Sequence, residues 1–132
     1  MTTNGSPSRS ESEEPLRVLV IDDDQALLRM LRLSLASAGV NVVTASDGLI
    51  GLERLKEHGF DVILLDLQMP NMDGRAFYRE MRNRGYDTNV VIVSAYGAEE
   101  AKRELNAAAA MPKPLDPDQL VETVQRVAAL SK

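Results

Sequence analysis

Three charged positions constrain the fold of this chain most, because each of them follows a short apolar run. These positions are the triplet Asp22-Asp23-Asp24, the single residue Asp66, and Lys113. Short apolar runs indicate buried strands, and the carboxyl ends of parallel strands meet at one crevice of an open sheet. The three positions are therefore predicted to share one charged pocket. The apolar runs are residues 18–21, 62–65 and 107–111.

From residue 16 onward, such runs alternate with longer segments of helical periodicity. This alternation predicts an α/β fold, in which five strand–helix pairs build a parallel sheet. In the second helix, Leu49, Leu52 and Leu55 are predicted to face inward, and Asp47 is a predicted N-cap. The predicted strands are residues 16–21, 40–44, 62–65, 89–93 and a strand within 107–111, and the predicted helices are residues 25–38, 48–57, 75–84, 99–106 and one that begins at residue 117.

Length and composition limit both the number of domains and the classes of function. A chain of 132 residues with 44% hydrophobic content suits one core, which we expect in residues 16–132. Residues 1–15 are rich in Ser, Glu and Pro, and this composition predicts a disordered tail. The chain has no cysteine and one histidine, so thiolate metal sites are excluded and zinc sites or histidine-based triads are disfavoured.

Charge and hydropathy argue against two kinds of partner. The net charge of -5 and the pI near 4.9 disfavour direct binding to nucleic acid, because phosphate backbones attract basic surfaces. No apolar stretch approaches the roughly 20 residues that a membrane-spanning helix needs. We therefore expect a cytoplasmic protein that binds neither nucleic acid nor membranes.

The predicted pocket has the chemistry of a phosphoryl-transfer site. Three carboxylates, from Asp22, Asp23 and Asp66, repel one another unless a cation neutralises them, and an all-oxygen ligand set favours Mg2+. Aspartate also serves as a nucleophile toward phosphorus, and the position of Asp66 after a strand suits this role. Lys113 is predicted to neutralise phosphoryl oxygens, and the hydroxyl of Ser94 is predicted to bond one of them.

Two other interpretations of the acidic triplet are open at this point. Asp24 is as well suited to capping the first helix as to binding a ligand. Asp22 to Asp24 also forms an Asp-x-Asp pattern after a first strand, which fits a haloacid-dehalogenase-like phosphatase with Asp22 as its nucleophile. That alternative assigns no role to Asp66 or to the Met-Pro loop that follows it.

Four separated motifs resemble those of the receiver domains of two-component response regulators. The resemblance covers residues 16–130 and implies a flavodoxin-like fold with sheet order 2-1-3-4-5. It also implies a switch that catalyses only its own phosphorylation and dephosphorylation, rather than an enzyme with other substrates. The motifs are residues 18–24 (VLVIDDD), residues 66–74 (DLQMPNMDG), residues 93–95 (VSA) and residues 113–115 (KPL).

The resemblance further implies roles for individual residues. Asp66 accepts a phosphoryl group from a sensor histidine kinase or a phosphotransfer protein. Asp23 and Asp66 ligate Mg2+ directly, Asp22 does so through water, and the backbone carbonyl of Gln68 is the remaining protein ligand. The peptide bond from Lys113 to Pro114 is expected to be cis. A downstream protein is expected to bind the face formed by the fourth and fifth helices and strands, and the protein is expected to be a monomer or a weak dimer.

The chain departs from the family pattern in the region that carries the switch. Ala110 stands three residues before Lys113, where the family usually has a switch aromatic. Tyr96, two residues after Ser94, is a candidate to replace that aromatic or to cover the phosphorylated site. The departure also leaves open a degenerate receiver that binds partners without phosphorylation. In addition, residues 106–108 replace an expected glycine-containing turn, which predicts an unusual shape beside the fourth helix.

Overall fold

A computed structural model describes residues 14–131 of the chain as a five-stranded parallel sheet with helices on both faces. The strand order is β2-β1-β3-β4-β5, and the predicted α/β fold and sheet order are therefore confirmed. The predicted tail lies almost wholly outside the described residues. The elements are β1 Arg17–Ile21, α1 Gln25–Ser37, β2 Asn41–Ala45, α2 Gly48–Glu57, β3 Val62–Asp66, α3 Gly74–Asn83, β4 Asn89–Ser94, α4 Ala98–Leu105, β5 Ala109–Pro112 and α5 Pro117–Ala129.

The sheet separates two hydrophobic cores, because alternate strand residues point to opposite faces. On one face, α1 and α5 pack over Val18, Val20 and Leu64. On the other face, α2, α3 and α4 pack over Leu19 and Ile63. The central strands β1 and β3 are therefore covered on both sides, which explains why both are continuous apolar runs rather than alternating ones.

Helix α2 corrects one prediction about its inward face. Leu52 and Leu55 are buried, but Leu49 is 50% exposed. The reason is that Gly48 and Gly51 also lie on the buried face and bring the helix close to its neighbours. A Cβ atom on Gly51 would lie 2.7 Å from the Cδ1 atom of Ile21, so the buried stripe runs through the glycines and leaves Leu49 beside it.

Aspartate side chains cap the N-termini of four of the five helices. Asp24, Asp47, Asp73 and Asp116 each accept hydrogen bonds from backbone amides of the first helical turn, as N-caps do. The exception is α4, which follows Gly97 in the left-handed conformation and has no side-chain cap.

The turn before β5 forms without the expected glycine, because Asn106 adopts the backbone conformation that the turn requires. Asn106 ends α4 in the left-handed conformation with φ 61°, and its backbone amide bonds to the carbonyl of Lys102. Asparagine tolerates this conformation better than other side-chain-bearing residues. Strand β5 then begins at Ala109, two residues after the start of the predicted region 107–111, and pairs with β4 despite the weak strand propensity of alanine.

Candidate functional site

The charged residues predicted to share a pocket lie at the carboxyl edge of the sheet. Asp22 follows β1, Asp66 is the last residue of β3, Ser94 is the last residue of β4, and Lys113 follows β5. Because these four strands are neighbours in a parallel sheet, their ends surround one open cleft of about 440 Å³. The cleft is lined by Asp22, Asp23, Asp24, Asp66, Gln68, Ser94, Ala95 and Lys113.

Three carboxylates converge in the cleft. Asp22, Asp23 and Asp66 each place an oxygen within 4.8 Å of the other two. Asp66 is only 6% exposed, yet it lines the cleft, so its carboxylate is reachable from that side. Burial, followed by the nearby charge of Asp22, raises the pKa of Asp66 above its ordinary value, although Lys113 acts in the opposite direction. The carboxylates are therefore incompletely neutralised by the protein itself.

Lys113 supplies the positive charge that faces two of these carboxylates. Its Nζ atom lies 2.8 Å from Oδ2 of Asp22 and 3.5 Å from Oδ1 of Asp66. Burial lowers the pKa of this ammonium, but the hydrogen bond and charge of Asp22, followed by those of Asp66, outweigh burial, and the pKa is raised. Lys113 is therefore a permanent cation at the cleft. The bond from Lys113 to Pro114 is cis, as expected.

Asp24 does not join the three carboxylates. Its Oδ1 atom accepts hydrogen bonds from the amides of Ala26 and Leu27, at 3.0 and 3.2 Å, and so caps α1. Its own backbone amide donates to Oδ1 of Asp22 at 2.9 Å. Of the acidic triplet, Asp24 thus orients the start of α1 and the carboxylate of Asp22, while its own carboxylate oxygen is already used.

Ser94 lines the cleft, but its hydroxyl is engaged within its own loop. The Oγ atom donates to the carbonyl of Tyr96 at 2.9 Å and accepts from the Tyr96 amide at 3.3 Å. The Tyr96 side chain is 82% exposed and does not cover the cleft. Ala110 is half-buried beside the core under α4, where the family usually has an aromatic ring.

The loop from β3 to α3 packs closely against the backbone of Asp66. Gln68 lines the cleft together with Asp66, and the amide of Gly74 donates to the carbonyl of Leu67 at 2.9 Å. A Cβ atom on Gly74 would overlap the carbonyl of Asp66, so only glycine allows α3 to start this close to β3. Asn71, in the same loop with φ 70°, bonds to Asp47, a contact that the sequence patterns did not predict.

The residues present fit a magnesium ion. The donors of Asp22, Asp23 and Asp66 are all carboxylate oxygens, which are the ligands that this hard cation prefers. The buried Asp22 and Asp66 have a single cationic partner, Lys113, among the described residues. A divalent cation would offset the remaining repulsion between the carboxylates. The described residues contain no cysteine or histidine near the cleft that would favour a softer metal.

The sheet order and the position of the cleft define the class of protein. A doubly wound parallel sheet of order 2-1-3-4-5 with its site at the carboxyl edge is a flavodoxin-like α/β protein. Within this class, the chain belongs to the response regulator receiver domain family, whose sequence profile matches residues 18–125. The resemblance carried by the four motifs is thereby confirmed.

Known proteins and structures agree with this assignment. The chain is 34% identical over 116 residues to the transcriptional regulatory protein GlrR of Escherichia coli, an alignment that covers 86% of this chain and 26% of GlrR. It thus spans about a quarter of that relative. The Francisella response regulator 1452 receiver domain superposes with a TM-score of 0.82 at 28% identity, covering 89% of this chain and 99% of that one.

A further similar structure was solved with ions bound. The response regulator protein TrrA of Thermotoga maritima, solved in complex with Mg(2+)-BeF, has a TM-score of 0.76 and 25% identity, covering 85% of this chain and 98% of that one.

Within the described part of this chain, no helix has the length and hydropathy required to cross a membrane.

Proposed function

We propose that Asp66 accepts a phosphoryl group from a phosphohistidine of a sensor histidine kinase or phosphotransfer protein, in a Mg2+-dependent reaction. The observation that carries the proposal is the convergence of Asp22 and Asp23 on Asp66 in an open cleft, with Lys113 opposite. Membership of the receiver family and the similarity to TrrA, solved with Mg(2+)-BeF, support it. The chain then acts as a signalling switch rather than as an enzyme with other substrates.

The proposed reaction divides between the residues of the cleft. An oxygen of the Asp66 carboxylate attacks phosphorus, an O–P bond forms, and the N–P bond of the phosphohistidine breaks, so that the imidazole leaves with the bonding pair. Lys113 releases part of its contact with Asp66 and donates to a phosphoryl oxygen. Asp23, Asp66 and the carbonyl of Gln68 would hold the metal directly, and Asp22 would hold it through water. When bound, Mg2+ supplies positive charge against the charge that develops on the phosphoryl oxygens.

The switch follows from the position of Ser94. To bond a phosphoryl oxygen, the Ser94 hydroxyl must give up the carbonyl of Tyr96, and this exchange moves the start of the β4–α4 loop. Helix α4 has no side-chain cap that resists such a movement. The resulting change lies on the face formed by α4, α5, β4 and β5, which is the proposed surface for a downstream protein partner. Because Ala110 replaces the aromatic, Tyr96 is the side chain that reports the change.

The phosphatase alternative has less support in the geometry. An Asp-x-Asp phosphatase needs Asp24 as well as Asp22 free to act at the reacting phosphorus. The Asp24 carboxylate instead caps α1, and the Asp22 carboxylate is held by Lys113 and by the amide of Asp24. The degenerate-receiver alternative keeps the fold and removes phosphorylation, so a direct test of phosphorylation separates it from the proposal.

Incubation with Mg2+ and a small phosphodonor such as phosphoramidate tests the proposed function. Mass spectrometry after borohydride trapping should place one acyl phosphate on Asp66 and none on the Asp66→Asn variant. Asp23→Asn should raise the Mg2+ concentration that is needed by at least tenfold, because it removes a proposed metal ligand at an exposed position. An unmodified wild-type protein would support the degenerate receiver, whereas steady phosphate release blocked by Asp22→Asn would support the phosphatase.

A further inference from the structure

Asp47 uses its two carboxylate oxygens for two different contacts. The Oδ1 atom accepts the amide of Ile50 at 2.9 Å and so caps α2. The Oδ2 atom accepts the side-chain amide of Asn71 at 2.7 Å, across 24 residues of sequence. Asn71 lies in the loop that carries Gln68 and follows Asp66. Capping explains only the first of these contacts.

A second contact joins the same two segments. Gly48, which follows Asp47, packs against Met72, which follows Asn71. A Cβ atom on Gly48 would lie 2.8 Å from Cγ of Met72 and 2.9 Å from its carbonyl oxygen. Distances this short leave no room for a side chain, so the start of α2 and the β3–α3 loop fit closely at this point. The hydrogen bond of Asp47 therefore belongs to a built contact and is not an isolated surface pair.

The β3–α3 loop connects this contact to the cleft. At its beginning, Gln68 stands two residues after Asp66 and lines the cleft with it. At its end, Gly74 bonds to Leu67. Between these points, Asn71 holds a left-handed conformation with φ 70°, whose energetic cost must be offset by a partner in the structure. Asp47 is that partner.

We propose that Asp47 is a positioning residue for the phosphoacceptor site, acting through Asn71 on the loop that carries Gln68. This inference rests on the Mg2+-dependent phosphorylation proposed above. Asp47 is not a catalytic residue, because it does not line the cleft and has no contact with the reacting groups. Its role is to keep the loop in the one arrangement that presents Gln68 to the metal site and to Asp66.

Exchanging the two partners tests this contact. In Asn71→Asp, two carboxylates face each other in place of the hydrogen bond, and the loop loses its anchor. We expect about 3- to 10-fold weaker Mg2+ binding, less than the roughly 10- to 100-fold cost of losing a hydrogen-bond partner of a metal ligand itself. The added negative charge alone would strengthen Mg2+ binding, so a weakening reports geometry. The measurement is the half-saturating Mg2+ concentration from NMR shifts of backbone amides.

The double variant Asp47→Asn with Asn71→Asp provides the rescue. The amide then lies on residue 47 and the carboxylate on residue 71, the capping oxygen is retained, and the net charge equals that of the wild type. We expect Mg2+ affinity to return to within about twofold of the wild-type value, as restoration of a paired contact predicts. Asn41→Asp, at the opposite edge of the sheet, adds the same charge as Asn71→Asp and should leave Mg2+ affinity unchanged.

The outcomes separate this inference from the proposed function. Wild-type Mg2+ affinity in Asn71→Asp, or no recovery in the double variant, overturns the role of Asp47. Circular dichroism of each variant shows that a weakened affinity comes from a folded protein. If phosphoramidate labels Asp66 in the wild type while affinity is the same in all variants, the proposed function stands and the positioning role fails. If the wild type binds Mg2+ but takes up no phosphoryl group, the proposed function fails.

Discussion

Two buried aspartates, Asp66 in the cleft and Asp47 at the start of α2, have opposite electrostatic environments. Asp47 accepts an amide from Ile50 and another from Asn71, and these bonds lower its pKa. Asp66 has a raised pKa, because burial and the charge of Asp22 outweigh Lys113. Each oxygen of Asp47 thus has a hydrogen-bond partner, whereas Asp66 has Lys113 at 3.5 Å and a second buried carboxylate beside it.

The difference shows how this fold separates support from chemistry. A carboxylate with both oxygens bonded stabilises the ionised form and stiffens the backbone around it. A carboxylate beside a second buried carboxylate costs stability in the absence of a cation, and it is reactive for the same reason. The cleft thus holds electrostatic repulsion that a bound cation would relieve, while both oxygens of Asp47 already have hydrogen-bond partners.

The largest expected effect comes from removing Lys113, the one cation that faces the cleft carboxylates among residues 14–131. Lys113→Gln leaves Asp22 and Asp66 buried without their partner, and we expect a loss of about 2 kcal/mol in the free energy of unfolding, below the 3–5 kcal/mol typical of fully buried pairs. Urea denaturation measures this loss. Adding Mg2+ should shrink it, because the ion restores positive charge. An equal loss with and without Mg2+ would contradict the magnesium site.

Neutralising each aspartate should change stability in opposite directions. Asp66→Asn removes the repulsion with Asp22, and we expect the Mg2+-free protein to gain on the order of 1 kcal/mol. Asp47→Ala removes the cap of α2 and the bond to Asn71, and we expect a loss of about 1–2 kcal/mol. Thermal unfolding without Mg2+ compares the two variants. Destabilisation by Asp66→Asn would show that the cleft carboxylate is satisfied after all.

The pH dependence of stability should reflect the lowered pKa of Asp47. The lowered pKa of Asp47 means that its contribution is present above the unfolded value of about 3.9 and is lost as pH falls through the folded pKa. Asp47→Ser keeps one capping oxygen and removes the charge. We therefore expect its stability deficit to be constant near pH 6 and to shrink below about pH 3.9. Unfolding midpoints across this range measure it, and a deficit that grows in acid would refute the assignment.

The smallest effect on stability should come from Tyr96. Its side chain is 82% exposed, so Tyr96→Ala should change the free energy of unfolding by less than about 0.5 kcal/mol. If Tyr96 reports the movement of Ser94, the same variant should alter the lifetime of phosphorylated Asp66 or the affinity for the downstream partner. Tyr96→Phe, which keeps the ring, is the matched control. With lifetime and affinity both unchanged, Tyr96 has no part in the switch.

Local patterns were sufficient to predict most of the fold. The apolar runs and helical periodicities place all five strands and all five helices to within about two residues, because each depends on neighbours a few positions away. The exposure of Leu49 was not predicted, and its cause is tertiary packing. Leu49 fits an inward helical stripe by spacing, but the close approach of Gly48 and Gly51 to other elements turns the helix and leaves Leu49 exposed.

The sequence predicted which residues form the site, and the tertiary structure decided which contacts they make. The sequence alone determined which side chains stand at strand ends, and hence that Asp22, Asp23, Asp66, Ser94 and Lys113 were candidates. Only the folded chain decided that Asp24 caps a helix, that the Ser94 hydroxyl bonds within its own loop, and that Asp47 binds Asn71. The bond from Asp47 to Asn71 spans 24 residues of sequence and depends on the approach of α2 to the β3–α3 loop, which no short-range pattern encodes. The contacts of Asp24 and Ser94 are local, but these side chains suit more than one partner, and the folded backbone selects between them.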